Sequence, residues 1–510
     1  MIRPWFRQAA VPWKTTATQT RASGENRVST KPGVLHYRRL REQAFDGCRL
    51  EVTGSAAFHL LHWEALRDPE LDVPLAVRLP VTRRVGQLPS LFELPSGQPT
   101  LNILLVTARP FGRGDVGYRT ISRPLLDALR QGSLPVTVDL VRPGTWEALR
   151  AHLRDRTRRE GASGWYQVIH LDLHGGFSEY GELDELRSAG RLLFGGVPAV
   201  EPFDGRRPFL FFETAQEGKA AAVPAAAMAS LLAEHRVPVA VLNACQSAMQ
   251  AGSEASLAQH LVQAGVPVAV GMAYSVTVSA AAMPVLYGQL TRGQDPVHAL
   301  HAARQALHDD PARQAYFDQQ LDLQDWVLPV GFSQQPVPLR LRPMDDAEQA
   351  RFFQREAETG DEPVTEYGFV GRDLDIQAAE RRLLVTPDSN ELLVQGMAGA
   401  GKSTLLAHLA WWWQRTGLVG QVFRFSWEDR AWTCAQVIRE IRARLLSPVE
   451  QARADIMPAA AQLEQAAALL RGARHLLTMA VRRCWSPLPG RGRPDARGWR
   501  TGPCRRRSRR

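Results

Sequence analysis

Between residues 101 and about 335 the chain alternates between short apolar runs rich in β-branched residues and longer runs with helical spacing. Leu101–Thr107, Pro135–Val141, Tyr166–Leu173, Val237–Leu242 and Val266–Met272 read as strands. Thr120–Gln131, Thr145–Asp155, Ala225–His235, Ser256–Ala264 and Ala280–Leu290 read as helices between or after them. A strand that leads into a helix comes back beside its neighbour by a crossover, so successive strands run parallel. The pattern predicts an α/β domain built on a doubly wound parallel sheet, buried on both faces. No internal repeat competes with that reading.

Two of these strands stop at a reactive residue. One is Tyr166-Gln167-Val168-Ile169-His170-Leu171-Asp172-Leu173-His174-Gly175-Gly176, and the other Val239-Ala240-Val241-Leu242-Asn243-Ala244-Cys245-Gln246-Ser247-Ala248. In open parallel sheets the active crevice forms outside the carboxyl ends of the strands. His174 and Cys245 are therefore expected in one crevice, as a base and a thiol nucleophile. A cysteine peptidase needs such a pair plus backbone N–H groups aimed at the developing oxyanion. Cys245 falls where a strand hands over to a helix, whose N-terminus lowers a thiol pKa. Gly175 lets the backbone approach a substrate, and its N–H is a candidate oxyanion donor with that of Cys245. The bland alternative is a small buried cysteine and a locally satisfied histidine. His170, Asp172 and His174 alternate along one strand, which leaves open a metal cluster, an Asp172 that orients a base, or a plain buried hydrogen bonder.

These residues carry a resemblance. His174-Gly175 and Asn243-Ala244-Cys245-Gln246-Ser247-Ala248 resemble the CHAT domain of caspase-like (clan CD) cysteine peptidases. His62-Trp63-Glu64-Ala65-Leu66 is similar to the family's early Pro-Trp-Glu element, with His for Pro. Asn102–Thr107 is similar to its first core strand, and Val223–Leu232 to the helix before the cysteine strand. The resemblance covers about residues 35–335. It implies a caspase-like fold with His174 as base and Cys245 as nucleophile. Members that cut after basic residues often carry Asp where this chain has Asn243, so a Lys or Arg preference is not expected.

Gly396-Met397-Ala398-Gly399-Ala400-Gly401-Lys402-Ser403 fits the phosphate-loop pattern. Leu392–Gln395 reads as the strand before it and Ser403–Trp413 as the helix after it. Gly396, Gly399 and Gly401 would expose N–H groups to phosphates, Lys402 would reach the outer phosphates, and Ser403 would bind Mg²⁺. Thr404 is expected to cap or pack the helix start. Trp411, Trp412 and Trp413 read as core and interface aromatics, only part of which a helix can bury. Phe369-Val370-Gly371-Arg372-Asp373 resembles the motif that opens STAND-type NTPases, relatives of NACHT and NB-ARC, which there packs near the adenine. The resemblance implies ATP or another nucleoside triphosphate with Mg²⁺, and self-association through this region. The family's acid-ended strand should follow the helix near Ala459–Leu470. Instead His475-Leu476-Leu477 leads into Thr478-Met479-Ala480-Val481-Arg482-Arg483, without an acid. A change of reading frame near 478, or a disruption of the gene there, is the expected cause, and the other two frames of the coding DNA would reveal the missing strand or refute it.

Composition adds limits. The net charge is +10, but residues 479–510 hold eleven Arg and one Asp and carry all of it. The rest is balanced, so nucleic acid is not an expected partner of the folded part. Ala255–Thr291 contains no Asp, Glu, Lys or Arg, yet its prolines, glycines and polar residues fit a buried helix, strand and helix better than a membrane span. Five cysteines without metal or CxxC spacing suggest reduced thiols and a cytoplasmic setting. The expected layout is a disordered leader over 1–34, a CHAT-like domain over 35–335, a linker over 336–365, a partial P-loop NTPase domain over 366–478 and a disordered Arg-rich tail over 479–510. The expected function is a caspase-like cysteine endopeptidase acting on an unknown protein substrate, controlled by a STAND-type module in bacterial signalling or defence. The alternatives are a nucleotide-binding scaffold with an inert CHAT module, or a truncated remnant.

Overall fold

The structure is a computed structural model that describes residues 17–19 and 30–480, apart from 55, 60, 85–91, 96, 116, 118, 121, 132–133, 162–163, 195–199, 244–252, 273–275, 315–319, 360–361, 364–368, 386–389, 398 and 428–429. The contacts divide the chain into two units, one of residues 1–358 with 370–394, the other of 359–369 with 395–510.

In the first unit the described residues form a nine-stranded sheet. Its order is Ala17–Gln19, Cys48–Thr53, Val81–Arg84, Pro329–Ser333, Val268–Met272, Val239–Asn243, Val168–Asp172, Leu101–Thr107, Val136–Val141. The last five are mutually parallel, as the strand and helix alternation requires. Counted along the chain, these five lie in the order two, one, three, four, five. The winding reverses between the first, Leu101–Thr107, and the third, Val168–Asp172.

Helices cover both faces, so alternate side chains of one strand enter two different cores. Val239 and Val241 pack with Leu125, Met283, Tyr287 and Leu300. Ala240 and Leu242 pack with Leu149, Met228, Leu232 and Leu261. This double burial is why the strands read as near-continuous apolar runs. The charge-free stretch from 255 folds as the helix Ser253–Gln263, the strand Val268–Met272 and the helix Val276–Thr291. Among the described residues no helix is long and apolar enough to cross a membrane.

The Trp-Glu element has a structural task. Burial works against the Glu64 charge, but Arg83 and Arg304 outweigh it and hold the carboxyl below its ordinary value. Arg83 Nε donates to Glu64 at 3.1 Å, and the Arg304 guanidinium lies 3.8 Å from it. Arg304 also donates to the carbonyls of Pro329 and Val81, and burial pushes it down to about 10. One buried carboxylate thus ties the sheet to the helix Pro296–Asp309.

Several expectations change. Ala17–Gln19, inside the expected disordered leader, pairs antiparallel with the outer strand Cys48–Thr53, whose open edge needs hydrogen-bond partners. The helix Thr30–Glu42 also begins inside that stretch, and Asp346–Thr359 is a helix within the expected linker. A second, four-stranded sheet of His174–Glu179, Arg206–Glu213, Ala220–Pro224 and Leu192–Phe194 was not read from the sequence. The helix Asp373–Leu384, expected in the nucleotide domain, belongs to the first unit.

In the second unit the parallel strands Val422–Ser426 and Leu476–Ala480 pair with each other. Leu392–Gln395, at the boundary of the two units, forms no strand, and Leu393 is 78 % exposed. A phosphate-loop strand is central in its sheet and is held by burial between neighbours. Leu393 is exposed instead, so Leu392–Gln395 lacks the burial that would hold it as such a strand. Trp411, Trp412 and Trp413 are all buried, against the expectation that a helix could bury only part of the run. Residues 481–510, most of the expected tail, lie outside the described ones.

Candidate active site

The two strands singled out in the sequence are direct parallel neighbours, with Asp172 opposite Asn243. Two residues beyond this pair come His174 on one chain segment and Cys245 on the other. Cys245 lies outside the described residues. On its other side Asp172 is opposite Thr107, the last residue of the first core strand. His174 therefore follows the carboxyl end of a strand at the point where the winding reverses, the place at which such sheets bind ligands.

His174 does not continue the strand of His170 and Asp172. It opens His174–Glu179 in the smaller sheet, opposite Phe211, with Gly175 opposite Leu210. The alternation of His170, Asp172 and His174 therefore does not survive as one ladder. His170 is fully buried and its Nδ1 is 2.7 Å from the Tyr287 hydroxyl. Among the described residues no group of three or more His, Cys, Asp or Glu could hold a metal ion.

The partner of His174 is Asp115. Nε2 of His174 lies 2.5 Å from Asp115 Oδ1, and the carboxylate side chain is 1 % exposed. The second carboxylate oxygen accepts from the Phe111 N–H at 2.7 Å. With a carboxylate accepting, Nε2 carries the hydrogen and Nδ1 keeps its lone pair. Among the described residues Nδ1 makes no hydrogen bond. The ring is packed against Phe111, centroids 5.3 Å apart. An imidazole so held can take a proton at Nδ1 while Asp115 steadies the charge that results.

Asp172, considered as an orienting group, turns instead to Arg109. Arg109 donates to its carboxylate at 2.7 Å and to its carbonyl at 2.8 Å, and the pair is buried. Burial works against the Arg109 charge, but Asp172, Asp115 and Glu213 outweigh it and hold the guanidinium above its ordinary value. Burial likewise raises the Asp172 carboxyl, against the pull of Arg109 and His174. Glu213 accepts the Arg109 N–H at 2.9 Å. Sequence reasoning missed Asp115, Arg109 and Glu213. The usable signal was position, since Arg109-Pro110-Phe111-Gly112-Arg113-Gly114-Asp115 follows the first core strand at its carboxyl end.

The phosphate-loop residues form a separate place in the second unit. Gly399 and Gly401 both have positive φ, at 80° and 76°, as a loop turning into a helix start requires. The helix Lys402–Arg415 follows, with Ser403 and Thr404 in its first turn. Lys402 Nζ donates to the Met397 carbonyl at 2.7 Å, so the loop folds around its own lysine. Ser403, Arg424, Ser426, Arg430, Trp432 and Thr478 border a cavity of about 480 Å³, and no described lining residue is Asp or Glu. Glycines and helix start fit a phosphate. The donor set does not fit a hydrolytic Mg²⁺ site, because Thr478 and Met479 stand on the strand where the acid is needed.

Among curated proteins none matches the chain. The family described as CHAT domain matches residues 27–336, more than half of the chain, and that span contains the parallel sheet, His174 and Asp115. On that match the chain belongs to the CHAT domain family, which is related to the cysteine peptidases.

Proposed function

We propose that the first unit is a caspase-like cysteine endopeptidase in which His174 and Cys245 act as base and nucleophile. The observation that carries this reading is the buried Asp115 carboxylate on Nε2 of His174, with Nδ1 left to receive a proton, beside the strand that leads to Cys245. In the proposed reaction the Cys245 thiolate attacks the scissile carbonyl carbon and a carbon–sulfur bond forms. The oxyanion is held by the N–H groups of Gly175 and Cys245. The protonated His174 then gives its proton to the leaving amine as the carbon–nitrogen bond breaks. Water, deprotonated by His174, releases the acyl group and restores the thiol.

Nucleotide control is the second part of the proposal. Gly396, Gly399, Gly401, Lys402 and Ser403 would hold the phosphates of ATP or a related nucleotide, with self-association as the readout, in a cytoplasmic signalling or defence setting. The glycine geometry supports phosphate binding. The missing acid favours binding without turnover.

The test needs no known substrate. The alkylation rate of Cys245 is followed against pH by mass spectrometry, with His174→Ala as control. The expected result is a thiolate population well below the free-cysteine pKa of about 8.5, lost in the control. An ordinary titration insensitive to His174 would leave an inert interaction module as the reading.

A further inference from the structure

The helix Asp373–Leu384 sits on the active-site loop, although the sequence assigns it to the nucleotide module. Its contacts are polar and directed, and those of Gln377 and Glu380 are buried. Asp373 Oδ1 accepts from Arg119 Nε at 2.9 Å and from the Arg119 N–H at 3.2 Å, while the Gly371 carbonyl accepts from Arg119 Nη2 at 3.0 Å. Gln377 Nε2 donates to the Arg109 carbonyl at 3.0 Å and to Glu213 Oε1 at 2.8 Å. Glu380 pairs with Arg142 at 2.9 Å, with both side chains almost wholly buried. Arg381 faces Glu213 and Glu217.

These partners share one property. Arg109 and Arg119 bracket the loop that carries Asp115, and Arg142 ends the neighbouring strand Val136–Val141. Glu213 accepts from both Gln377 and the Arg109 N–H, so the helix reaches the buried Arg109–Asp172 pair through one carboxylate. Ile376 and Ala379 fill the apolar part of the same face.

We infer that the helix Asp373–Leu384 is a positioning element of the catalytic site, which holds the Arg109–Arg119 loop so that Asp115 meets His174. Asp373, Gln377 and Glu380 are its positioning residues. The inference rests on the peptidase reading for its consequence, though not for the contact itself. The chain runs on from Leu384 to the phosphate loop at Gly396.

The full-length protein and its Asp373→Asn and Gln377→Ala variants are compared, with Arg119→Ala reaching the first contact from the other side. Thermal unfolding selects the variants that stay folded; Asp373→Asn keeps an acceptor oxygen but removes the charge that faces the buried Arg119, and Gln377→Ala removes the two hydrogen bonds to the Arg109 carbonyl and Glu213. Amide hydrogen exchange over residues 109–121 reads the clasp, and the pH profile of Cys245 alkylation reads its consequence. The expected result is faster exchange across the loop and alkylation slowed about tenfold at pH 7, with the profile moved toward that of a free thiol. Unchanged loop exchange in the folded variants overturns the clasp. Faster exchange with an activated, unaltered Cys245 overturns the positioning role. Faster exchange around a wild-type Cys245 that titrates as an ordinary thiol overturns the peptidase reading and leaves the clasp as a structural contact.

Discussion

At the scale of single residues, the question is what holds a proton in place. Asp115 is buried, accepts from Phe111 N–H on one oxygen and faces His174 on the other, so it has a single geometry. Asp115→Asn keeps the shape and removes the charge opposite the imidazolium. The thiolate fraction of Cys245 at pH 6 is expected to fall on the order of tenfold, read by site-resolved alkylation. An unchanged fraction would remove Asp115 from the site. His174 and Cys245 stand out in the sequence because each follows an apolar run. Asp115 was not, since an aspartate among glycines in a loop reads as a turn residue. Only the fold shows that its carboxylate points inward.

At the scale of elements, buried charge does the joining. Glu64 is enclosed by Arg83 and Arg304, and its removal strands two guanidinium groups away from water. Glu64→Ala is therefore expected to cost about 3–5 kcal/mol in urea unfolding. A loss below about 1 kcal/mol would mean that the pair is solvated like a surface bridge. The same principle explains what periodicity could not find. Gln377 and Glu380 are polar, so a helical pattern assigns them to solvent, yet they are buried because Glu213, Arg109 and Arg142 wait for them. The smaller sheet was missed for a related reason. Ala220–Pro224 is three alanines, a valine and a proline, and Arg206–Glu213 changes from two arginines and a proline to an unbroken apolar run, so neither alternates.

At the scale of the whole molecule, the five parallel strands were readable because burial on both faces leaves little room for polar residues. That same burial holds histidines in their neutral form. Burial pushes His170 and His301 down to about 4 from an ordinary 6.5. The His301 Nε2 hydrogen bond to the Val77 carbonyl favours the charged ring, but burial outweighs it. Below pH 6.5 the unfolded chain binds these protons and the folded chain does not. Stability is thus full above 6.5 and falls as pH drops toward 4. For His170 alone the loss reaches roughly 3 kcal/mol. In urea unfolding, His170→Gln should lose less stability than the parent between pH 6.5 and 4.5, and equal losses would contradict the assignment.

The strand Pro329–Ser333 carries a consequence for how the chain is made. It is the piece that joins Val81–Arg84 to the parallel core, with Phe332 opposite Arg83. At ordinary translation speeds the interval between the emergence of Arg83 and of Phe332 is on the order of ten to fifty seconds. Through that interval Cys48–Thr53 and Val81–Arg84 have each other but no core to complete. Their free edge is open to any passing strand, and a holding chaperone at the ribosome exit has its natural client in these first strands.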